Sequence, residues 1–184
     1  MTSPHRRLDR RSGLVLDTHD LRRRAGELRT LQSTVMAPHE LGIAVIRVPE
    51  GSPLELDLRL EAVVEGVLVT GTALVQLEGE CVRCLTPISD ELEVDVQELF
   101  TYPGSEASDE EASHLDGELI DLEPVLRDAI VLELPFQPLC RPDCRGLCPE
   151  CGLDLNTVTE HDHDDAVDPR WSKLTQFESG AETP

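Results

Sequence analysis

Between Leu54 and Val64 the chain alternates apolar with mostly charged residues, and Leu54, Leu56, Leu58, Leu60, Ala62 and Val64 share one side of a period of two. That period predicts a strand with one wet face, because successive side chains of a pleated backbone point to opposite sides. Glu65-Gly66 supplies a turn, after which Val67, Val69, Ala73, Val75 and Leu77 resume the alternation as far as "LEGEC". The two strands are expected to pair antiparallel. Leu92, Val94 and Val96 in "ELEVDVQELF" predict a third strand, leaving "VRCLTP" to turn the chain at a hairpin tip.

A helical period follows. Asp121 is placed to cap a helix whose Leu122, Leu126, Ala129, Ile130 and Leu134 mark one apolar face, with Pro124 tolerated in the first turn and Pro135 ending it. Such a helix can cover the sheet and hand the chain to Cys140. Residues 103–117 read as an acidic loop in which His114 carries no site. "DPRWSKL" predicts a short capped helix, with Trp171 a packing anchor or a binding residue. Ahead of the sheet, "HDLRRRAGELR" offers a short helix capped by Asp20 and interrupted by Gly26, against the competing reading of a solvated tail.

The expected fold class is therefore α+β: a small antiparallel sheet with one covering helix and a C-terminal zinc-binding region. The expected division is a basic arm at 1–40, sheet plus helix at 41–135, a Cys/His region at 136–174 and a tail at 175–184.

Charge sharpens the picture. Of 16 basic and 37 acidic residues, eight basic and four acidic lie in residues 1–30, which leaves eight against 33 for the rest. A body this acidic repels phosphate backbones and attracts basic proteins, so any RNA contact falls to the arm, through Arg22, Arg23, Arg24 and Arg29. Aromatic residues make up 3% of the chain, so Leu and Val must fill the core, with metal ligation as a supplement to stability. No stretch has the apolar length of a signal peptide or membrane span, and a cytoplasmic location is expected.

Reducing conditions make clustered cysteines metal ligands rather than disulfides. Cys81 and Cys84 form one CxxC pair, "CRPDCRGLCPECG" adds Cys140, Cys144, Cys148 and Cys151, and "EHDHDD" adds His161 and His163. Eight ligands serve two tetrahedral zinc ions. Four thiolates leave a zinc site near −2, whereas two thiolates and two imidazoles leave it near neutral. Arg83, Arg141 and Arg145 flank the first four cysteines, while no Lys or Arg stands between Cys148 and His163. This favours Cys81, Cys84, Cys140 and Cys144 as one site, and Cys148, Cys151, His161 and His163 as the other. A competing partition joins Cys81 and Cys84 to Cys148 and Cys151. The histidines favour zinc over rubredoxin-like iron.

Catalytic zinc keeps an open position, and no hydrolase, phosphate-binding or deaminase motif accompanies these cysteines, so a binding module leads over an enzyme. A thiol redox switch is the alternative, although it leaves the histidines unexplained. The order "LEGECVRCLTPI", "VDVQELF", "IDLEPVLRDAIVLELPFQPLC", "DCRGLCPECGLDLN" and "DPRWSKL" closely resembles the bacterial YceD family from about Leu14 to Leu174, in an actinobacterial version. The resemblance implies a role in accumulation of large-subunit ribosomal RNA, without catalysis. It leaves as partner a pre-ribosomal large-subunit particle, and charge adds a basic ribosomal protein, which the chain could chaperone without touching RNA. Where zinc-rich relatives carry two further cysteines after "CPxCG", this chain has His161 and His163.

Overall fold

The computed structural model describes residues 8–21, 25–105, 112–163 and 170. It divides into two compact units, Met1–Cys144 and Arg145–Pro184. In chain order the first contains β1 (Val15–Asp17), a single 3-10 turn (His19–Leu21), β2 (Leu28–Met36), β3 (Gly42–Ile43), β4 (Ile46–Arg47), β5 (Pro53–Ala62), β6 (Gly66–Glu80), β7 (Pro87–Thr101), β8 (Leu119–Asp121) and α1 (Glu123–Glu133).

β6 is the spine of an antiparallel sheet. Along one edge it pairs with β5, from Ala62↔Val67 to Leu54↔Val75, and then with β4 at Gly79 and Glu78. Along the other it pairs with β7 without a break from Gly66↔Thr101 to Glu80↔Pro87. The period of two places Leu54, Leu56, Leu58 and Leu60 of β5, Val67, Val69, Ala73, Val75 and Leu77 of β6, and Val94, Val96 and Phe100 of β7 in one buried cluster. Leu122, Leu126, Ile130 and Leu134 of the α1 segment belong to the same cluster, so the helix covers the sheet as its apolar face requires.

Several expectations need correction. The arm does not extend to residue 40, because β2 pairs along its whole length with β5. Its half-buried side faces the core with Arg29, Leu31, Ser33 and Val35, and a row so mixed gives little periodic signal. The helix expected after Asp20 is limited, in the described residues, to the His19–Leu21 turn, and Gly26 leaves it at φ +90. Arg22, Arg23 and Arg24 lie outside the described residues, as does nearly all of "DPRWSKL". Val64 is 80% exposed, since the alternation runs past the end of β5 into the turn. α1 begins at Glu123 after Leu122 and has no side-chain cap, although Asp121 Oδ1 accepts the Glu123 N–H at 3.1 Å. The division into units falls after Cys144 rather than after residue 135. Two features were not foreseen: β1 pairs with β8, and β3 with β4 forms a small hairpin.

In the β5–β6 ladder Gly71 sits opposite Leu58 at φ +148, and a Cβ there would lie 2.0 Å from the Asp57 carbonyl oxygen. Gly71→Ala should therefore destabilise the first unit by about 3 kcal/mol. Urea unfolding should show a lower midpoint with an unchanged denaturant slope.

Candidate metal centres

The β6–β7 hairpin carries Cys81 and Cys84 in the turn at its tip. The Cys81 N–H donates to Thr86 O and the Leu85 N–H to Cys81 O, each at 2.9 Å, which folds CVRC into a knuckle with both sulfurs on one side. Val82 N–H donates to Pro138 O at 3.0 Å, so the segment leaving α1 is fastened to the knuckle before it supplies Cys140 and Cys144. A turn closed by Cys144 N–H to Arg141 O then sets the second pair. The four sulfurs lie within 4.8 Å of one another, with Cys84 to Cys140 at 3.5 Å and Cys81 to Cys144 at 3.8 Å. Tetrahedral zinc with Zn–S bonds of roughly 2.3 Å requires sulfur separations of about 3.8 Å. Cys81, Cys84 and Cys144 are buried and Cys140 is exposed.

The second unit repeats the knuckle. Gly152 N–H donates to Cys148 O at 2.9 Å, as Leu85 does to Cys81, and Cys148 N–H donates to Leu153 O at 2.8 Å. A bridge between Leu147 and Asp154 and a bond from Leu155 N–H to Gly146 O close the loop into a miniature hairpin. His163 Nε2 lies 3.2 Å from Cys148 Sγ and His161 Nε2 3.3 Å from Cys151 Sγ, and all four ligand atoms fall within 4.8 Å. Sulfur and nitrogen donors on one tetrahedral zinc stand about 3.5 Å apart.

The structure thus brings the expected ligands together in two sets, Cys81, Cys84, Cys140 and Cys144, and Cys148, Cys151, His161 and His163. The competing partition does not occur in it. Each set lies wholly within one of the two units.

The sulfurs sit in uneven fields. Burial pushes the Cys81 thiol up, but backbone amides of Cys140, Arg83 and Cys84 together outweigh it and bring it down to about 6. Thr86, by side chain and backbone, lowers Cys84. Cys140 is pushed up to about 12, first by its contact with Cys84, then by burial and the Cys144 and Cys81 sulfurs. Four thiolates this close cannot all ionise unless a cation lies among them, and a divalent ion meets that demand. In the second unit the Cys151 and Glu150 amides bring Cys148 down to about 6.

The expected cationic surroundings are only partly realised. Arg83 donates to Cys144 O at 2.8 Å, inside the first cluster. Arg141 pairs with Asp143 at 3.5 Å. Arg145 instead belongs to the second unit, where its backbone N–H donates to Asn156 Oδ1 and its guanidinium to Val158 O. Arg29, assigned to the arm, is built into β2 and donates to Asp17 O at 3.0 Å.

Two contributors were missed at the level of sequence. Glu150 Oε2 lies 3.3 Å from His163 Nδ1, the carboxylate–histidine arrangement that fixes a tautomer with Nε2 free to ligate. Its position between the cysteines of "CPEC" was the available signal. Leu85 occupies the left-handed position that closes the first knuckle, at φ 58, where Gly152 closes the second at φ 73.

Comparison with known proteins adds a family. Residues 69–178 match the family model described as Large ribosomal RNA subunit accumulation protein YceD. An uncharacterized protein of Mycobacterium tuberculosis is 46% identical over 171 residues, covering 90% of this chain and 82% of the relative. A Bacillus subtilis protein, YlbN, is 28% identical over 99 residues, covering 53% of this chain and 58% of the relative. A maize protein named Large ribosomal RNA subunit accumulation protein YCED homolog 1, chloroplastic, is 26% identical over 179 residues, covering 78% of this chain and 57% of the relative. No solved structure matches the chain significantly.

Leu85 is 59% exposed, so replacing it removes little burial while relieving an L-residue penalty of roughly 1 kcal/mol. Leu85→Gly should stabilise the metal-loaded protein by about 0.5 to 1 kcal/mol in thermal unfolding. Glu150→Gln should weaken metal binding at the second centre by about 10- to 100-fold. Chelator competition should show the first centre unaffected.

Proposed function

Because the chain belongs to the YceD family of large ribosomal RNA subunit accumulation proteins, we propose that it is a non-catalytic zinc-binding factor of ribosome biogenesis. It supports synthesis, processing or stability of large-subunit ribosomal RNA in the cytoplasm. The observation that carries the zinc reading is the pair of clusters, each offering four Cys or His donors at tetrahedral spacing within its own unit. Such closed donor sets suit structural zinc, because a catalytic ion needs a position left to water or substrate. Cys81, Cys84, Cys140 and Cys144 hold one ion, and Cys148, Cys151, His161 and His163 the other.

The partner is a pre-ribosomal large-subunit particle or a basic ribosomal protein bound to it, a reading supported by the net charge of −21. With Arg29 tied to Asp17, contact with RNA rests on Arg22, Arg23 and Arg24. No helix among the described residues is long and apolar enough to cross a membrane.

Native mass spectrometry of the purified protein should find two zinc ions per chain. A deletion strain should contain less mature large-subunit RNA relative to small-subunit RNA, read by quantitative hybridisation. An unchanged ratio, or turnover of a small molecule or disulfide that stops when zinc is stripped, would replace this reading with an enzymatic or thiol-redox one.

A further inference from the structure

Among the described residues no further strand pairs with the outer edge of β7, and that edge carries a charge code. Thr101 fixes its phase: its N–H donates outward to Ser113 O, and its C=O accepts outward from Leu115 N–H. The pairing with β6 is unbroken from Pro87 to Thr101, so the backbone groups of Ser89, Glu91, Glu93, Asp95, Gln97 and Leu99 also point away from the sheet. Apart from the Glu91 N–H, which donates to Asp90 Oδ1, these groups meet no hydrogen-bond partner among the described residues. The same positions put Glu91, Glu93 and Asp95 on the exposed face, opposite buried Val94 and Val96. Glu91 accepts from Gln76, while Glu93 and Asp95 pair with no described residue. From Cys84 to Leu126 the sequence contains no Lys or Arg.

We propose that the β7 edge binds an extended segment of a basic protein, with Lys or Arg at alternate positions, as an added antiparallel or parallel strand. Main-chain bonds to Ser89–Leu99 hold the segment, and its alternate cations face Glu91, Glu93 and Asp95. A second copy of this chain is a poor occupant, because it would bring like charges face to face across the new ladder. The inference rests on the proposed role beside basic ribosomal proteins and names the surface that serves it.

Fluorescence anisotropy with a labelled synthetic peptide of alternating lysine and threonine tests the edge directly. Binding should be saturable, and the same peptide with alternate backbone amides methylated should bind at least about tenfold more weakly, since charge is retained and the ladder lost. Glu93→Pro should keep the sheet, because its N–H points outward, and should lose the peptide. Retained folding is checked by circular dichroism. The combined Glu91→Lys, Glu93→Lys, Asp95→Lys variant should instead prefer an alternating glutamate peptide. Equal binding of the methylated peptide, absence of binding to the full-length protein, or cross-links from the edge to residues 1–7 or to a second copy would overturn the proposal.

Sedimentation with large-subunit precursors separates the two claims. If the unaltered protein and Glu93→Pro both sediment with them equally, the edge proposal falls and the ribosomal role stands. If neither sediments though the peptide binds, the role falls and the edge remains.

Discussion

A metal knuckle at a hairpin tip is useful only if the hairpin cannot slip, and here the tip reaches beyond the part of the sheet that the core holds. Leu77 is the last β6 residue in the buried cluster and Val94 the first fully buried one of β7, and beyond them the core reaches the hairpin only through Leu92 and through Ile46 opposite Gly79. A slip of β7 by one residue against β6 would turn Val94, Val96 and Phe100 to water, and the burial lower in the sheet therefore fixes where Cys81 and Cys84 project. Cys140 and Cys144 then tie the distal end to the exit of α1. The core sets the register, and the sulfur cluster secures the part of the hairpin that the core does not reach.

That division of labour suits the composition. Among the described residues Phe100 is the one aromatic side chain in the fully buried cluster, with Tyr102 packed against it, and Leu, Ile and Val supply most of its volume. A core of modest side chains covers a limited length of a hairpin whose strands have 15 residues each. An ion held by ligands far apart in sequence would stabilise such a fold without further apolar area, because it binds the donors that folding assembles and not the unfolded chain.

The strands β5, β6 and β7 and the helix α1 were legible because each keeps a strict period against one buried face. β2 was not, since its inward row alternates leucine and valine with Arg29 and Ser33, and β1, β3, β4 and β8 are two or three residues long, too short for a period to register. The same reasoning overreached at Val64, where alternation outlasts the strand. The two donor sets were readable from spacing and charge, but adjacency in sequence misplaced Arg145, which stands beside Cys144 and yet bonds to Val158. Leu85 was invisible for a different reason: leucine does not advertise a left-handed backbone, and only the closed knuckle imposes it.

The two clusters differ most in how much chain they must wait for. In the second, Cys148 and His163 are 15 residues apart and Cys151 and His161 are 10 apart, so its donors can meet while the rest of the polypeptide is still unfolded. In the first, Cys84 and Cys140 are 56 positions apart in sequence, with β7, β8 and α1 between them, and their meeting requires those elements to be in place. Filling the second cluster would thus be a local event, open to a stretch of chain as short as Cys148 to His163. An ion in the first cluster would therefore mark a molecule whose β7, β8 and α1 are already in place, a sign of maturity in the protein itself.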